Sequence, residues 1–355
     1  MAASGILTTN LPTFEASDVN KYILTPIYNG EDYMSYMDLM PNIKGVTKID
    51  HFGSAEKGTL GFNEGAFAAN ADLATMSAVT ISPARMEFEQ EFRGAQLFNK
   101  IKGQLMRGNF EYDNVEGTQV KQILMELIGK GVQSDLNRQL WLGSTAASGG
   151  NYTQDNHYKE YDGLFLTAHK KLTTANGSQI LDDNDISGFA TGDTWVAADS
   201  LELLGDLYSA APAALLEQEG LVFFVSGTVA DGYAAHLETQ GSYLAFQQLK
   251  QGAGLSYRGI PLVVRRDWDR WISTDGSKVN GAHNATAATA KKNTAFAMLT
   301  CRNAFAVGTD FSSTSVEQWY SQDNKAYRFR VSYMIGCALT DPNLCVMFTP
   351  EPMEV

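Results

Sequence analysis

The chain has 355 residues, of which 44% are hydrophobic and 19% are charged, and its formal net charge is −13 at pH 7. A chain of this size and composition can bury a real core, as one large unit or as two to three intertwined domains. The negative charge argues against a protein that grips nucleic acid, because phosphate binding needs clustered Lys and Arg, and no apolar run reaches the roughly 18 residues of a membrane span.

The first predicted element is an N-terminal arm. Residues 1–45 mix Asn, Thr, Asp and Tyr with scattered aliphatic side chains and show no sustained periodicity. Such a segment needs a neighbouring surface on which to lie. Within it, residues 33–40 are expected to form a short helix.

A long two-stranded excursion is predicted for residues 46–93. In its return limb, apolar residues between Val79 and Phe92 alternate with polar ones, and positions 87, 89 and 91 are all Glu. This period of two predicts a strand with one apolar and one acidic face. The stretch 53–75 between the limbs is interpreted either as a functional loop or as a disordered surface insertion.

The strongest helix signal lies in residues 117–142. Gly143 follows at a position where helices commonly end, and Gly129 and Gly131 are expected to favour a bend. At 1.5 Å per residue the helix would be roughly 39 Å long. Its apolar side chains recur at steps of three and four and form a single stripe: Val120, Ile123, Leu124, Leu127, Ile128, Val132, Leu136 and Leu140.

Residues 195–264 alternate between helical and strand patterns, which predicts an α/β unit around a buried sheet. A loop is predicted at 273–293, and the chain is expected to be rich in strands from residue 294 onward, notably at 295–310 and 327–338. The expected elements of the α/β unit are a helix from Asp199 or Ser200 to about Ala211, a strand at 221–225, a helix near 229–237 and a strand at 256–264.

The residue types that usually carry chemistry form no recognisable site. The segment Asp183–Asp185 resembles half of a calcium loop but lacks the bidentate Glu, so a surface turn is favoured. No nucleophile elbow, Walker motif or complete dinucleotide loop is present. We therefore expect no catalytic, cofactor-binding or metal-binding residues. The five His residues are far apart and form no metal-binding pair: His51, His157, His169, His236 and His283.

The three Cys residues are Cys301, Cys337 and Cys345. They lack the paired spacing of a metal site and lie in apolar, strand-like surroundings. The pattern predicts buried free thiols.

Basic and aromatic residues are interleaved at 265–271, which reads Arg-Arg-Asp-Trp-Asp-Arg-Trp. Such a pattern can stack and pair on nucleic acid. The two Asp residues cancel much of the charge, and no wider basic patch surrounds them in the sequence. An Arg–Asp network, within the chain or between subunits, is therefore favoured.

Three short sequences and the order of the elements resemble one protein family. The short sequences are Trp141-Leu-Gly143 at the end of the long helix, Tyr257-Arg-Gly-Ile-Pro261, and Ala306-Val-Gly-Thr-Asp310. Together with the arm, the excursion and the strand-rich end, they resemble the tailed-bacteriophage major capsid proteins, which have the Hong Kong 97-type fold. The resemblance extends along nearly the whole chain, and the order of the elements carries most of it.

The resemblance implies an α+β fold with five parts. Residues 1–45 would be the N-terminal arm and 46–93 the extended β-hairpin loop. The peripheral domain would comprise residues 94–190, with the spine helix at 117–142, and would be completed by the returning sheet of residues 294–355. Residues 191–293 would form the axial domain.

The function that the resemblance implies is self-assembly without enzymatic activity or cofactors. Copies of the chain would form hexamers and pentamers that close an icosahedral head shell. The shell would enclose double-stranded DNA without sequence-specific binding. The implied partners are a portal protein, a separate scaffolding protein and decoration proteins. The implied location is the virion, after assembly in the cytoplasm of a bacterial host, and no membrane is involved.

Candidates for subunit contacts come from the extended loop and from the basic and aromatic segment. They are Phe52, Phe62, Phe67, Glu87, Glu89, Arg265, Arg266, Trp268 and Trp271. Two other interpretations stay open: an encapsulin-like nanocompartment shell around protein cargo, and an α/β enzyme with an unrecognised site. The contents of purified particles separate the first from a phage shell, and an activity screen on a monomer tests the second.

Overall fold

The computed structural model describes most of the chain. The predictions for the first part of the arm, for the tip of the extended loop and for residues 94–118 lie outside the described residues. So do the contact candidates Phe62 and Phe67, together with the side chain of Phe52. The described residues are 35–54, 74–93, 119–147, 153, 155, 157–175, 177–186, 195–240, 254–282, 294–302, 304–310, 315–321, 323–324 and 326–355.

The strands of the described residues are β1 (Asp38–Met40), β2 (Thr47–Ser54), β3 (Ala74–Ile81), β4 (Ala84–Arg93), β5 (Ile180–Leu181), β6 (Val222–Ser226), β7 (Ser256–Tyr257), β8 (Ile260–Arg265), β9 (Ala297–Thr300), β10 (Phe305–Thr309), β11 (Ser315–Ser321), β12 (Ala326–Leu339) and β13 (Cys345–Phe348). The α-helices are α1 (Gln119–Leu142), α2 (Leu164–Ala175), α3 (Ala197–Ser209), α4 (Ala213–Leu216), α5 (Gly227–Thr239) and α6 (Arg266–Asp275). Short 3-10 helices lie at Gly177–Gln179, Asp183–Asp185, Gly276–Lys278 and Pro342–Leu344.

Within the described residues, β12 is the central strand of a five-stranded sheet. β4 pairs antiparallel along one side of β12, from Ala84 opposite Ile335 to Arg93 opposite Ala326. Thr309 of β10 also lies opposite Ile335, and β11 pairs with the first half of β12. Because a strand has only two edges, β10 and β11 follow each other along the second side. β1 extends the sheet there by parallel pairing with β10.

A second sheet, of six strands in the described part of the chain, has the order β5-β13-β9-β6-β8-β7. Its strand β6 is buried at every residue and pairs with β8 in parallel and with β9 antiparallel. Burial on both faces explains why this strand is a continuous apolar run. The elements α3, β6, α5 and β8 follow in the predicted order, so the prediction of an α/β unit at 195–264 is confirmed.

One returning sheet was expected after residue 294, but the strands there belong to two different sheets. β9 and β13 belong to the six-stranded sheet, whereas β10, β11 and β12 belong to the five-stranded sheet. The single strand predicted at 295–310 is broken between Thr300 and Phe305, where the chain passes from one sheet to the other. An apolar run has the same pattern in either sheet, so its periodicity does not assign it. The division into a peripheral and an axial domain stays a prediction.

The return limb of the excursion is also divided. β3 pairs with β2, but the strand ends at Ile81, and β4 begins at Ala84 and joins the five-stranded sheet. Ser82 and Pro83 separate the two strands, and Pro83 cannot donate a ladder hydrogen bond because it has no backbone N–H. The predicted alternation of apolar and acidic residues is confirmed in β4, although β4 belongs to the sheet and not to the excursion.

Three further local predictions are wrong at least in part. Of the helix expected at 33–40, residues 35 and 36 form a 3-10 turn, but Asp38–Met40 form β1, because pairing with β10 overrides local propensity. The strand expected at 256–264 is a tight hairpin: Arg258 and Gly259 have φ values of 49° and 83°, as the two central residues of a type I′ turn require. The loop expected from residue 273 begins later, because α6 continues to Asp275.

The end of the predicted arm packs on its own chain. The ring of Tyr36 meets the ring of Phe224 edge-on at a centroid distance of 5.9 Å. Met37 is buried in the main core, and Ile43 is buried beside the base of β3. Residues 35–43 therefore belong to the body of the protein.

The predicted spine helix is confirmed as α1, a helix of 24 residues and therefore about 36 Å long. Ile128, Val132, Leu136 and Leu140 are buried along one stripe, as predicted, whereas Leu127 is 55% exposed. The helix is continuous through Gly131, where a Cβ atom would lie 3.1 Å from Phe88 Cζ. The missing side chain lets β4 approach the helix closely, so this glycine serves packing.

A cluster of aromatic rings connects α1, α2, α6 and the six-stranded sheet. The Trp268 ring lies 4.9 Å from that of Trp141 and 5.1 Å from that of Phe165, measured between centroids. Trp141 also contacts Phe224, and Phe165 contacts Phe296. Trp268 is 0% exposed. These rings belong to one core cluster that includes residues of both large sheets.

Candidate functional site

In the described part of the chain, β2 and β3 form a two-stranded ribbon that joins neither large sheet. Thr47 lies opposite Ile81 at its base, and Ser54 lies opposite Ala74 at its far end. An isolated two-stranded ribbon is marginally stable in water. Both outer edges of such a ribbon also carry backbone groups that can pair with another chain. These properties make the ribbon the first candidate for a subunit contact.

The base of the ribbon is held by a small apolar cluster on the five-stranded sheet. Val79 and Ile81 of β3 are buried there with Ile43, Ala306 and Ala338. The ribbon is thus fixed at its root, and its direction is set by the sheet from which it leaves.

The turn between the ribbon and β4 rests directly on a glycine of β12. A Cβ atom at Gly336 would lie 2.9 Å from Pro83 Cα and 3.0 Å from the Ser82 carbonyl oxygen. Both neighbours are backbone atoms, which cannot rotate away as a side chain can. Gly336 therefore permits the close approach that sets the root of the ribbon.

Replacing Gly336 by Ala is expected to destabilise the protein by about 1–3 kcal/mol, as overpacking in a well-packed site does. It should also displace the ribbon. Urea unfolding followed by circular dichroism measures the first effect, and protease cleavage within residues 46–83 reports the second. Gly45→Ala is the control, because its Cβ would have no atom within 4 Å. Equal effects of the two substitutions would contradict the proposed role of the backbone contact.

The outer face of β4 and β12 carries a ladder of opposite charges. Glu89 lies opposite Arg330, with 2.6 Å between Oε1 and Nη2, and Glu91 lies opposite Arg328, with 2.9 Å between Oε2 and Nε. The hydrogen bond with Glu89 raises the pKa of Arg330. Exposed pairs of this kind contribute little stability. Their consequence is a patterned charged surface along the half of β4 that lies away from the ribbon.

A groove of about 690 Å³ lies between β3, α2 and β12. Its wall is organised by Asp162, which accepts hydrogen bonds from Lys170 Nζ at 2.6 Å and from the Thr145 backbone and hydroxyl at 3.0 and 2.5 Å. Burial by itself raises the pKa of Asp162, but these hydrogen bonds outweigh burial and hold the pKa below its ordinary value of 3.8. Asp162 is therefore ionised at neutral pH and fixes the groove wall.

Replacing Asp162 by Asn is expected to lower the free energy of unfolding at pH 7 by about 1–3 kcal/mol, the usual range for a hydrogen-bonded buried charge. The folded-state pKa is depressed, so the contribution of Asp162 is full above pH 3.8 and declines as the pH falls through the folded value. Urea unfolding of the wild type and the variant from pH 7 to pH 3 should show that the difference between their free energies of unfolding becomes smaller as the pH falls. A difference that grows with acid would contradict this assignment.

The segment 265–271 forms an Arg–Asp network within the chain, one of the two predicted alternatives. Arg265 forms an ion pair with Asp267. Arg266 binds Asp231 of α5 through both terminal nitrogens, at 2.9 and 2.7 Å. The network joins the start of α6 to α5.

Asp269 caps the start of α5. It accepts hydrogen bonds from the backbone N–H groups of Gly227 and Thr228 at 2.6 and 3.1 Å. The hydroxyls of Thr228 and Thr294 donate to the same carboxylate at 2.7 and 2.9 Å. A carboxylate at a helix N-terminus satisfies N–H groups that have no partner in the helix.

The structure separates the predicted contact candidates. Glu87 and Glu89 are exposed on β4, and the side chain of Arg266 is 69% exposed, so these three stay candidates. The other three described candidates are buried inside the chain's own core, which argues against a direct contact with a neighbour. They are Arg265, Trp268 and Trp271, with exposures of 6%, 0% and 6%.

The cysteines are free, as predicted; Cys301 and Cys345 are also buried as predicted, whereas the residue Cys337 is half-buried. Burial raises the pKa of each thiol, Cys337 to about 12, so none is a ready nucleophile. Among the described residues, no three metal-binding side chains cluster. Asp183–Asp185 is a 3-10 turn whose preceding Asp182 accepts from the Asn184 backbone N–H. No helix in these residues is long and apolar enough to cross a membrane.

Comparison with solved structures finds chains of the same architecture. The protein is similar to a chain in the satellite phage P4 procapsid structure, which includes the size determination (Sid) protein; the TM-score is 0.59 at 10% identity, over 96% of this chain and 93% of that chain. A chain from Mycobacterium phage Ogopogo matches with a TM-score of 0.53 at 11% identity, over 90% and 92% of the two chains. A chain of the cyanophage Pam1 capsid asymmetric unit matches with a TM-score of 0.50 at 12% identity, over 100% of both.

The chain has the fold of a phage capsid protein. The predicted α+β capsid fold is therefore confirmed. No protein-family model and no curated protein matches the sequence. The sequence identity to these chains is only 10–12%, so the similarity lies in the fold.

Proposed function

We propose that this protein is the major capsid protein of a tailed double-stranded DNA phage. Many copies form hexamers and pentamers, which close an icosahedral shell around the genome. The observation that carries the proposal is the extent of the structural match, which covers 96% of this chain and 93% of the phage P4 chain. A match over nearly the whole of both chains supports the same plan for the whole subunit.

The ribbon supports this function. It leaves the five-stranded sheet at a fixed root, and a two-stranded ribbon gains stability when another surface covers it. In the proposed shell, the ribbon of one copy lies across a neighbouring copy. The charged ladder lies further along β4 and β12, and it supplies a second patterned surface that can select a contact, as complementary charges do at interfaces.

The overall charge supports an enclosed DNA cargo. A net charge of −13 disfavours tight binding of the shell to the genome, which suits a container whose contents must be packed and released. The same proposal includes a portal protein, a separate scaffolding protein and decoration proteins as partners, the virion as the location and the bacterial cytoplasm as the place of assembly.

Electron microscopy of the purified protein tests the proposal. We expect capsomers or closed shells, and a large species in size-exclusion chromatography. A compact 38.8 kDa monomer at high concentration would overturn it. The contents of particles from infected or induced cells are the second readout: DNA supports a phage shell, whereas a protein cargo would place the shell in the encapsulin-like class instead.

A further inference from the structure

A second cavity, separate from the ribbon, combines charges that are far apart in the sequence. It has a volume of about 410 Å³ and lies between one face of α1 and the start of α6. Four cationic side chains line it: Lys130 from α1, Arg265 at the end of β8, and Arg266 and Arg270 from α6. Asp267 is the carboxylate that lines it with them. In a chain with a net charge of −13, this local excess of positive charge is unusual.

The α1 side of the cavity adds neutral hydrogen-bond donors. Gln133, Ser134 and Asn137 line it together with Lys130. Their spacing of three and four places all four residues on one face of the helix. Amide and hydroxyl groups can donate to an oxyanion, and Arg and Lys add charge-assisted hydrogen bonds, which are stronger than neutral ones.

Two of the four cations are held in place by carboxylates. Arg265 is 6% exposed, pairs with Asp267 and lies 5.9 Å from the Trp141 ring centroid. Arg266 is held by Asp231. Lys130 and Arg270 are exposed at the cavity, and the Arg270 guanidinium lies 5.7 Å from the ring of Trp271. Two guanidinium groups are thus paired with carboxylates, and Lys130 and Arg270 lie at the exposed side of the cavity.

We propose that this cavity, hereafter the anion cavity, binds a phosphate group. Its four cations outnumber the two carboxylates that pair with them. Its donors converge from α1 and from the start of α6, and planar guanidinium groups match phosphate geometry. The phosphate can come from a nucleic-acid backbone or from free inorganic phosphate. The cavity belongs to the single chain, so it does not depend on assembly; only the nucleic-acid source rests on the proposed function.

The test uses the full chain and the double variant Lys130→Gln, Arg270→Gln. Both side chains are exposed, so their loss should leave the fold intact, which circular dichroism checks. The matched control is Arg85→Gln, Lys159→Gln, which removes the same charge from exposed residues that do not line the anion cavity. Calorimetric titration with inorganic phosphate should show binding to the wild type and the control, and about tenfold or greater weakening in the cavity variant.

A second titration distinguishes nucleic-acid phosphate from free inorganic phosphate as the ligand. Anisotropy of a short labelled DNA duplex is measured over a range of salt concentrations. If backbone phosphate occupies the cavity, the slope of log K against log salt should fall by about 1.8 in the cavity variant, or 0.9 for each lost cation. An unchanged slope with weakened phosphate binding supports free phosphate as the ligand. Phosphate binding that is absent, or equal in the cavity and control variants, overturns the proposal.

Electron micrographs of the same variants separate this inference from the proposed function. Shells formed by a cavity variant that has lost phosphate binding support both statements. If the wild type forms no shells, only the proposed shell function is contradicted, because calorimetry on the unassembled chain still measures phosphate binding in the anion cavity.

Discussion

Replacing Trp268 by Ala is expected to lower the free energy of unfolding by about 3–5 kcal/mol, the usual cost of emptying the site of a large buried aromatic residue. Trp268 is fully buried, and its ring contacts Trp141 and Phe165 at centroid distances of 4.9 and 5.1 Å. The neighbours belong to other helices, so they cannot easily close the cavity. Urea unfolding of the unassembled chain, followed by far-ultraviolet circular dichroism, measures the effect.

Trp319→Ala is the matched control for this substitution. Trp319 lies on β11 and is only partly buried, so its loss should cost about 1 kcal/mol or less. The comparison also decides between two roles of Trp268. A variant that unfolds like the wild type but fails to assemble would show that Trp268 contacts a neighbour, and would contradict its place in the core.

Replacing Gly143 by Ala is expected to destabilise the protein by about 3 kcal/mol or more, at the upper end of overpacking costs. A Cβ atom there would lie 2.5 Å from the Gln139 carbonyl oxygen and 2.6 Å from that of Tyr161. Both obstacles are backbone, so relief requires movement of α1 or of the segment before α2. The Gly163 N–H also donates to the Gly143 carbonyl at 2.9 Å, which ties the two segments together.

Gly177→Ala provides the control for Gly143→Ala. Gly177 has no atom within 4 Å of its added Cβ and no positive φ, so the substitution should be neutral or slightly stabilising. Unfolding midpoints of the two variants, measured side by side, give the comparison. Similar midpoints would mean that the chain can relax around Gly143. The close contact between the end of α1 and the segment around Gly163 would then contribute little to stability.

Gly143 illustrates how much of the fold was predictable. The apolar stripe and the glycine after Leu142 predicted a long helix and its end, and α1 ends at Leu142. The same glycine also lets the segment around Gly163 cross the helix end at backbone contact distance. That second role depends on a residue outside the helix, so no local pattern could indicate it.

The candidate site was likewise predictable only in part. The Arg–Asp network at 265–271 was one of two predicted alternatives, and it lies within the chain. The anion cavity was missed, because Lys130 belongs to a helix far earlier in the chain. The spacing of Lys130, Gln133, Ser134 and Asn137 was the available signal: it predicts a polar helix face, but not what that face meets.

The sequence by itself determined the existence and order of the long elements and, through its resemblance to capsid proteins, the α+β class. Hydrophobic periodicity is local, so it could predict α1, β4 and the α/β unit around β6. Only the tertiary structure decided that β9 and β10 lie in different sheets, that β4 leaves the ribbon, and that Trp268 is core and not surface. Those outcomes depend on strand pairing and burial between residues distant in the chain, for which a local pattern contains no information.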